Sequence, residues 1–311
     1  MLRRWPDYTR YAVSLGLTTV VDHACCDWLG AHLTDADRPN PCVALARRAG
    51  QLPLRLRIQY DHRDTRDQLD IHSASARLAN ATQGLGDGHY KAVRFGEQVL
   101  AAGATDDEVV AVFLRIAQGG WALSQHTIKE AEIERYLRIM ERVAAQVPVK
   151  DLRWTLEHVF EITPDQVQRL GVGVHVQVHD YIRNDNSSWN AGPPFRMLLD
   201  SGIRMGAGSD SAVVGALNPW LGLYFLTTGR DASGTLLLPG QQLTRRQALR
   251  LYTAANAWFN FEEGDLGSLE AGKLADLVVL DQPYLQVSDE ALKQMRPLLT
   301  MVGGKAVYAR G

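Results

Sequence analysis

The sequence predicts an α/β protein on a parallel sheet, a (β/α)8-type barrel lacking one strand, followed by a small β appendage. Three observations carry that expectation. Apolar runs of strand length alternate with amphipathic helical runs across short loops, the pattern of βαβ crossovers. Strand candidates begin near residues 17, 54, 90, 121, 153, 173 and 203, one fewer than a closed barrel needs. From about residue 264 short apolar runs sit between glycine turns, so residues 1–263 read as the incomplete barrel and 264–311 as the appendage.

The elements follow in order. Trp5 to Leu15 has a helical stripe through Tyr8, Tyr11, Ala12 and Leu15, stopped by Gly16, and Leu17 to Asp22 is rich in strand formers. Val43 to Arg48 reads as helix. Leu54 to Tyr60 alternates apolar residues with Arg55, Arg57 and Gln59, which makes a two-faced strand. Ser73 to Leu78 is a short helix, the Gly84–Gly88 tract a loop, and Tyr90 to Phe95 a strand carrying Lys91. Thr105 and Glu108 form a capping box ahead of Val109, Val112, Phe113 and Ile116. Trp121 to His126 is the next strand, Ile128 to Val147 a helix closed by Pro148, and Arg153 to His158 a strand. Thr163-Pro164-Asp165-Gln166 caps a short helix, with proline at a position where its missing donor costs nothing. Gly173 to His179 is a strand, Pro194 to Asp200 a helix, and Arg204 to Ser209 the last barrel strand. A long loop through Asn218-Pro219-Trp220 precedes a helix capped by Thr244 and Gln247. Gly267-Ser268, Gly272-Lys273, Leu277 to Leu280 and Thr300 to Tyr308 read as short strands.

Composition narrows the function. Lys and Arg total 33 against 35 for Asp and Glu, a net charge of −2, which offers no footprint for nucleic acid or an anionic membrane and leaves a small molecule as the expected partner. Apolar runs fall short of the roughly 18 residues of a membrane span. Asp7 and Arg10 interrupt any signal segment behind Arg3-Arg4. Cys25, Cys26 and Cys42 have no metal spacing and read as reduced thiols, so a cytoplasmic setting is expected.

Four residues that carry chemistry lie on or at the ends of different strands: Lys91, His126, His158 and Asp210, the last in Gly206-Ala207-Gly208-Ser209-Asp210-Ser211. The carboxyl ends of parallel barrel strands share one face, so residues distant in sequence converge there. Imidazoles and carboxylates suit zinc, whose catalytic sites keep a position open for water. Taken singly, each residue has a plainer reading: a satisfied polar histidine, an ion-paired lysine, a turn aspartate.

Leu156-Glu157-His158, Val176-Gln177-Val178-His179, Gly208-Ser209-Asp210, Thr228-Gly229-Arg230, Leu251-Tyr252-Thr253-Ala254-Ala255-Asn256-Ala257 and Val302-Gly303-Gly304-Lys305 are found together with the run from Gly267 to Asp281. With these segments the chain resembles the metal-dependent amidohydrolase superfamily, most closely its YtcJ-like branch, which includes N-substituted formamide deformylases. The resemblance implies that His126 and His158 bind metal and that Asp210 ligates metal and shuttles a proton. It implies that Lys91 is the fourth-strand lysine that some members carboxylate, with Arg94 as the alternative occupant of that place. It implies that His179, Gln177 and Arg230 contact substrate, and that residues 264–311 are the C-terminal part of a β-sandwich. One or two divalent metal ions, zinc by this analogy, are the implied cofactor.

The family's His-x-His motif of the first barrel strand is absent, so Leu17 to Asp22 matches the second strand and the chain reads as lacking the N-terminal portion. Two expectations follow. One is a hydrolase of amide-type carbon–nitrogen bonds, with metal-bound hydroxide as nucleophile and Asp210 as general base, then acid; Lys91, His126 and His158 would hold a single metal. The other is an inactive truncated barrel serving as a binding or assembly module, or needing a partner chain. Its edges at Leu17 to Asp22 and Arg204 to Ser209 would then favour homo-oligomers.

Overall fold

The structure is a computed structural model and describes residues 5–22, 46–60, 75, 78–80, 82–97, 99, 103–172, 174–179, 192–211 and 215–311. In chain order the regular elements are α1 (Trp5–Ser14), β1 (Thr19–Asp22), β2 (Arg55–Tyr60), β3 (Tyr90–Phe95), α2 (Asp106–Gln118), β4 (Ser124–Thr127), α3 (Glu130–Ala144), β5 (Trp154–His158), α4 (Pro164–Arg169), β6 (Val174–His179), α5 (Phe195–Asp200) and β7 (Met205–Gly208). Then come α6 (Pro219–Thr228), α7 (Arg245–Tyr252), α8 (Ala254–Phe259), β8 (Leu277–Leu280), α9 (Asp289–Leu292), β9 (Pro297–Val302) and β10 (Lys305–Ala309). Strands form at each of the seven expected positions. The three cysteines and most of the Ser73 to Leu78 helix lie outside the described residues. Two compact units emerge, one holding Leu56–Gln177, the other Val178–Gly311 with Met1–Val20 and Pro41–Arg55.

In the first unit β2 pairs parallel with β3, Phe95 bridges Leu123 in parallel, and β4 and β5, then β5 and β6, pair parallel. Successive parallel strands put their carboxyl ends on one edge. Helices α2 and α3 bury Val109, Phe113 and Ile116, and Ile133, Leu137 and Met140. The Thr105 capping box forms as the sequence predicts, and Arg135 and Arg142 of α3 reach Asp106 and Asp107 of α2 at 2.7 and 2.6 Å. Tyr60, Phe95 and Trp121 meet with ring centroids 4.9–5.2 Å apart.

The alternation in β2 has an unexpected meaning. Its polar face is not solvated: Arg57, Gln59, Arg94, Ser124, Thr155 and Glu157 are all buried. Arg94 donates to Ser124 Oγ at 2.9 Å, the Ser124 and Thr155 hydroxyl oxygens are hydrogen-bonded at 2.9 Å, and the Thr155 hydroxyl donates to Glu157 Oε1 at 2.7 Å. Burial, partly offset by Glu157, brings the Arg94 guanidinium down to about 10. These strands enclose a hydrogen-bonded polar layer, which is how buried charge is tolerated.

In the second unit β8, β9 and β10 form an antiparallel sheet in the order β10-β9-β8. The run from Thr300 to Tyr308 is a hairpin rather than one strand, because Gly303 and Gly304 take φ of +57° and +77° between β9 and β10. Gly267-Ser268 and Gly272-Lys273 are turns, not strands. The Lys273 ammonium donates to the Glu263 carbonyl at 2.6 Å and to Ser268 Oγ at 2.7 Å, so the lysine staples that turn. The packed face of α1 is Thr9, Ala12 and Val13, while Tyr11 is exposed; small residues allow the close approach by which Thr300 Oγ1 reaches the Val13 carbonyl at 2.7 Å. The segment read as a loop at Asn218 is α6, capped by the Asn218 side chain and buried through Trp220, Leu223, Tyr224, Phe225 and Leu226. A bidentate ion pair ties Arg55 at the head of β2 to Asp276.

Candidate metal centre

β3 ends at Phe95, and the chain passes through Gly96 to Glu97. Gly96 has φ of +145°, and a Cβ there would lie 2.4 Å from the Ser124 carbonyl oxygen, so only glycine lets the backbone come this close to β4. The Glu97 carbonyl then accepts the His126 N–H at 2.9 Å. His126 is the third residue of β4 and His158 the last of β5, with Thr127 paired opposite His158. His158 and Val159 both take left-handed conformations, φ +67° and +47°. The Val159 N–H donates to the Glu157 carbonyl at 2.8 Å, which closes a γ-turn around His158.

Three side chains converge there. Glu97 Oε1 lies 2.8 Å from His126 Nδ1 and 2.6 Å from His158 Nε2, and the two ring nitrogens are 2.9 Å apart. Burial pushes the Glu97 carboxyl up, but hydrogen bonds from His126 and His158 and their charge outweigh it and hold it well below the usual carboxylate range. His126 keeps 27% of its side chain exposed, against 10% for His158 and 13% for Glu97, so the triangle is most exposed on the His126 side.

The donor set fits a divalent cation. Two imidazoles and one carboxylate are a known catalytic zinc set, and three ligands leave a fourth position for water or substrate. Bonds of about 2.0–2.1 Å in tetrahedral geometry need donor atoms about 3.3 Å apart. Side-chain shifts of a few tenths of an ångström open the triangle that far. Among the described residues this is the one grouping of three or more His, Cys, Asp or Glu side chains arranged to hold a metal.

Of the residues singled out in the sequence, His126 and His158 come together. Lys91 does not join them: it is the second residue of β3, paired with Arg57, and six residues at about 3.3 Å each separate it from the level of Glu97. This strand brings Glu97, not Lys91, to the histidines. Arg94 belongs to the buried polar layer. Asp210 follows β7 in the other unit, half-buried at φ +49°, and β7 is held by the Asn256 amide on the Ala207 carbonyl at 2.8 Å. Arg230 is exposed and donates to the Gly234 carbonyl at 2.8 Å. The side chains of Gln177 and His179 lie outside the described residues. Sequence reasoning missed Glu97, which stands past the end of β3, and the one local sign of it is the glycine before it.

Comparison with known proteins bears on the family and the fold. A family model described as "Amidohydrolase family" matches residues 8–308. An N-substituted formamide deformylase of Arthrobacter pascens is 28% identical over 65% of this chain and 39% of its own length. A 5-methylthioadenosine/S-adenosylhomocysteine deaminase of Desulfovibrio desulfuricans is 31% identical over 50% of this chain and 37% of its own. The chain thus spans well under half the length of these curated relatives. Among solved structures, an uncharacterised metal-dependent hydrolase of Pyrococcus horikoshii superposes with a TM-score of 0.69 at 15% identity, over 93% of this chain and 61% of that one. The atrazine chlorohydrolase of Arthrobacter aurescens complexed with zinc gives 0.66 at 19% identity, over 99% and 73%. At these identities the structural likeness concerns the fold.

Proposed function

The chain belongs to the amidohydrolase family, and from that premise we propose that it is a metal-dependent hydrolase of amide-type carbon–nitrogen bonds in a small molecule. The observation that carries the reading is the triangle of Glu97, His126 and His158 at the carboxyl ends of adjacent parallel strands. A divalent cation held there, zinc by the donor set, supplies Lewis acidity toward a carbonyl oxygen and toward water. Glu97 contributes the balancing negative charge, and His126 and His158 present neutral nitrogen lone pairs. Asp210 takes the proton of the attacking water as general base and returns it to the amine nitrogen as the carbon–nitrogen bond breaks. His179, Gln177 and Arg230 are assigned to holding the substrate. The wider reading is a (β/α)8-type barrel lacking its first strand over residues 1–263, part of a β-sandwich over 264–311, a cytoplasmic setting and self-association through strand edges. Among the described residues no helix is long and apolar enough to cross a membrane.

The test is a titration of the purified chain with Zn²⁺, Co²⁺ and Mn²⁺, followed by assays on N-formyl and N-acyl amines. The expected result is metal bound through the triangle, turnover that depends on it, and an Asp210→Asn variant that keeps metal and loses turnover. A chain that binds none of these ions refutes the proposal and returns it to the inactive module.

A further inference from the structure

We infer that Thr127 is a positioning residue of the metal centre, clamping the left-handed turn at His158 so that Nε2 points at Glu97 and His126. The inference rests on the metal reading above and adds a residue to it.

Left-handed φ is uncommon outside glycine and more so at a β-branched residue, so His158 and Val159 in succession persist only if their surroundings over-determine them. Thr127 grips the turn from both sides. Its carbonyl accepts the Val159 N–H at 2.9 Å, and its hydroxyl donates at 3.0 Å to the Glu157 carbonyl, the same oxygen that closes the γ-turn. The residue is fully buried, so no solvent takes over when the hydroxyl is removed. Thr127 also follows His126 directly, and one residue therefore ties the peptide of one ligand to the backbone of the other. Other bonds in this region, among them His126 N–H to the Glu97 carbonyl and the Val159 N–H shared between the Thr127 and Glu157 carbonyls, are main chain and are not deleted by a side-chain change. The hydroxyl is the part of the clamp that substitution can delete. Nothing about Thr127 marks it in the sequence, because its role exists only once β4 and β5 are in register.

The experiment compares wild type, Thr127→Val, Thr127→Ser and a control, Thr300→Val, which deletes the buried hydroxyl bonded to Val13 in the C-terminal sheet. Each is titrated with Co²⁺, reading affinity and the visible absorption that reports coordination geometry, and each is checked for folding by circular dichroism without metal. Removing support behind a metal ligand typically costs 10–100-fold in affinity. Thr127→Val is expected to lose that much and to change the Co²⁺ spectrum, Thr127→Ser to stay near wild type, and Thr300→Val to lose stability without losing affinity. If Thr127→Val fails to fold, Thr127→Ser and Thr127→Ala ask the same question with less bulk, and equal affinity in those two overturns the inference. Wild-type affinity in a folded Thr127→Val overturns it alone, leaving the metal reading intact. A wild-type chain that binds no Co²⁺ overturns the metal reading and the inference together.

Discussion

Asp276→Asn isolates a charge that the fold has buried. Arg55 Nε and Nη2 donate to Asp276 Oδ2 and Oδ1 at 2.7 and 2.9 Å, both side chains are 4% exposed, and Oδ1 also accepts the Gly303 N–H at 2.8 Å. Asparagine keeps the volume and one acceptor but turns an amide donor toward a guanidinium that has only donors. Removing one partner of a buried pair costs about 3–5 kcal/mol, a large share of the roughly 5–15 kcal/mol that holds a domain folded. At about 2–4 °C per kcal/mol for large domains, the melting temperature falls by about 6–20 °C. Urea denaturation followed by tryptophan fluorescence measures the loss. The double variant Arg55→Met/Asp276→Leu removes both charges and is expected to recover most of it, since apolar replacement of a buried pair is often neutral. A loss under about 1 kcal/mol in Asp276→Asn, or a double variant no better than the single, refutes the reasoning.

Three further outcomes are expected. Glu97→Gln keeps the shape of the triangle and removes its charge, so Zn²⁺ affinity measured by competition with a chelating dye should fall at least about 100-fold while the metal-free fold persists. Gly206→Ala puts a Cβ 2.5 Å from Asn256 Oδ1 and 3.0 Å from the Phe259 ring, an overpacking that should cost about 1–3 kcal/mol in urea denaturation. Burial, against the opposing charge of Arg245, pushes the Tyr284 hydroxyl up to about 12. The raised value means this contribution is complete below pH 10 and lost as pH climbs from about 10 to about 12. Two units at 1.36 kcal/mol each make it about 3 kcal/mol in all, of which about 1.4 kcal/mol is gone by pH 11, read as the stability difference in urea denaturation between pH 8 and pH 11 for wild type against Tyr284→Phe.

Much of the fold is legible in the residues themselves. The capping boxes at Thr105, Thr163 and Thr244 mark helix starts because their hydrogen bonds are local. The seven strand positions follow from apolar runs between turn signals. What stays hidden depends on contacts distant in sequence. Helix α6 is apolar on every face because it is buried on every face, so it carries no helical period to detect. The alternation of Arg57 and Gln59 implies a solvated face until β3, β4 and β5 supply Arg94, Ser124, Thr155 and Glu157 beside it. His126 and His158 are visible by type and strand position, whereas Glu97 stands beyond its strand and reaches them through a glycine whose necessity only the Ser124 carbonyl reveals.

The spacing of Glu97, His126 and His158 bears on when they meet. Glu97 and His126 are 29 residues apart, His126 and His158 32, and Glu97 and His158 61, whereas Arg55 and Asp276 are separated by 221. Loop closure costs about 0.6 kcal/mol more for each doubling of length, so the widest leg of the triangle closes for about 1 kcal/mol less entropy than that ion pair. Short loops also close sooner. The chain grows from its amino end, so all three residues are synthesised before Asp276 exists. A cation captured at that stage would bind a nascent half and bias its folding, and ion supply would then govern the yield of folded chain as well as its chemistry.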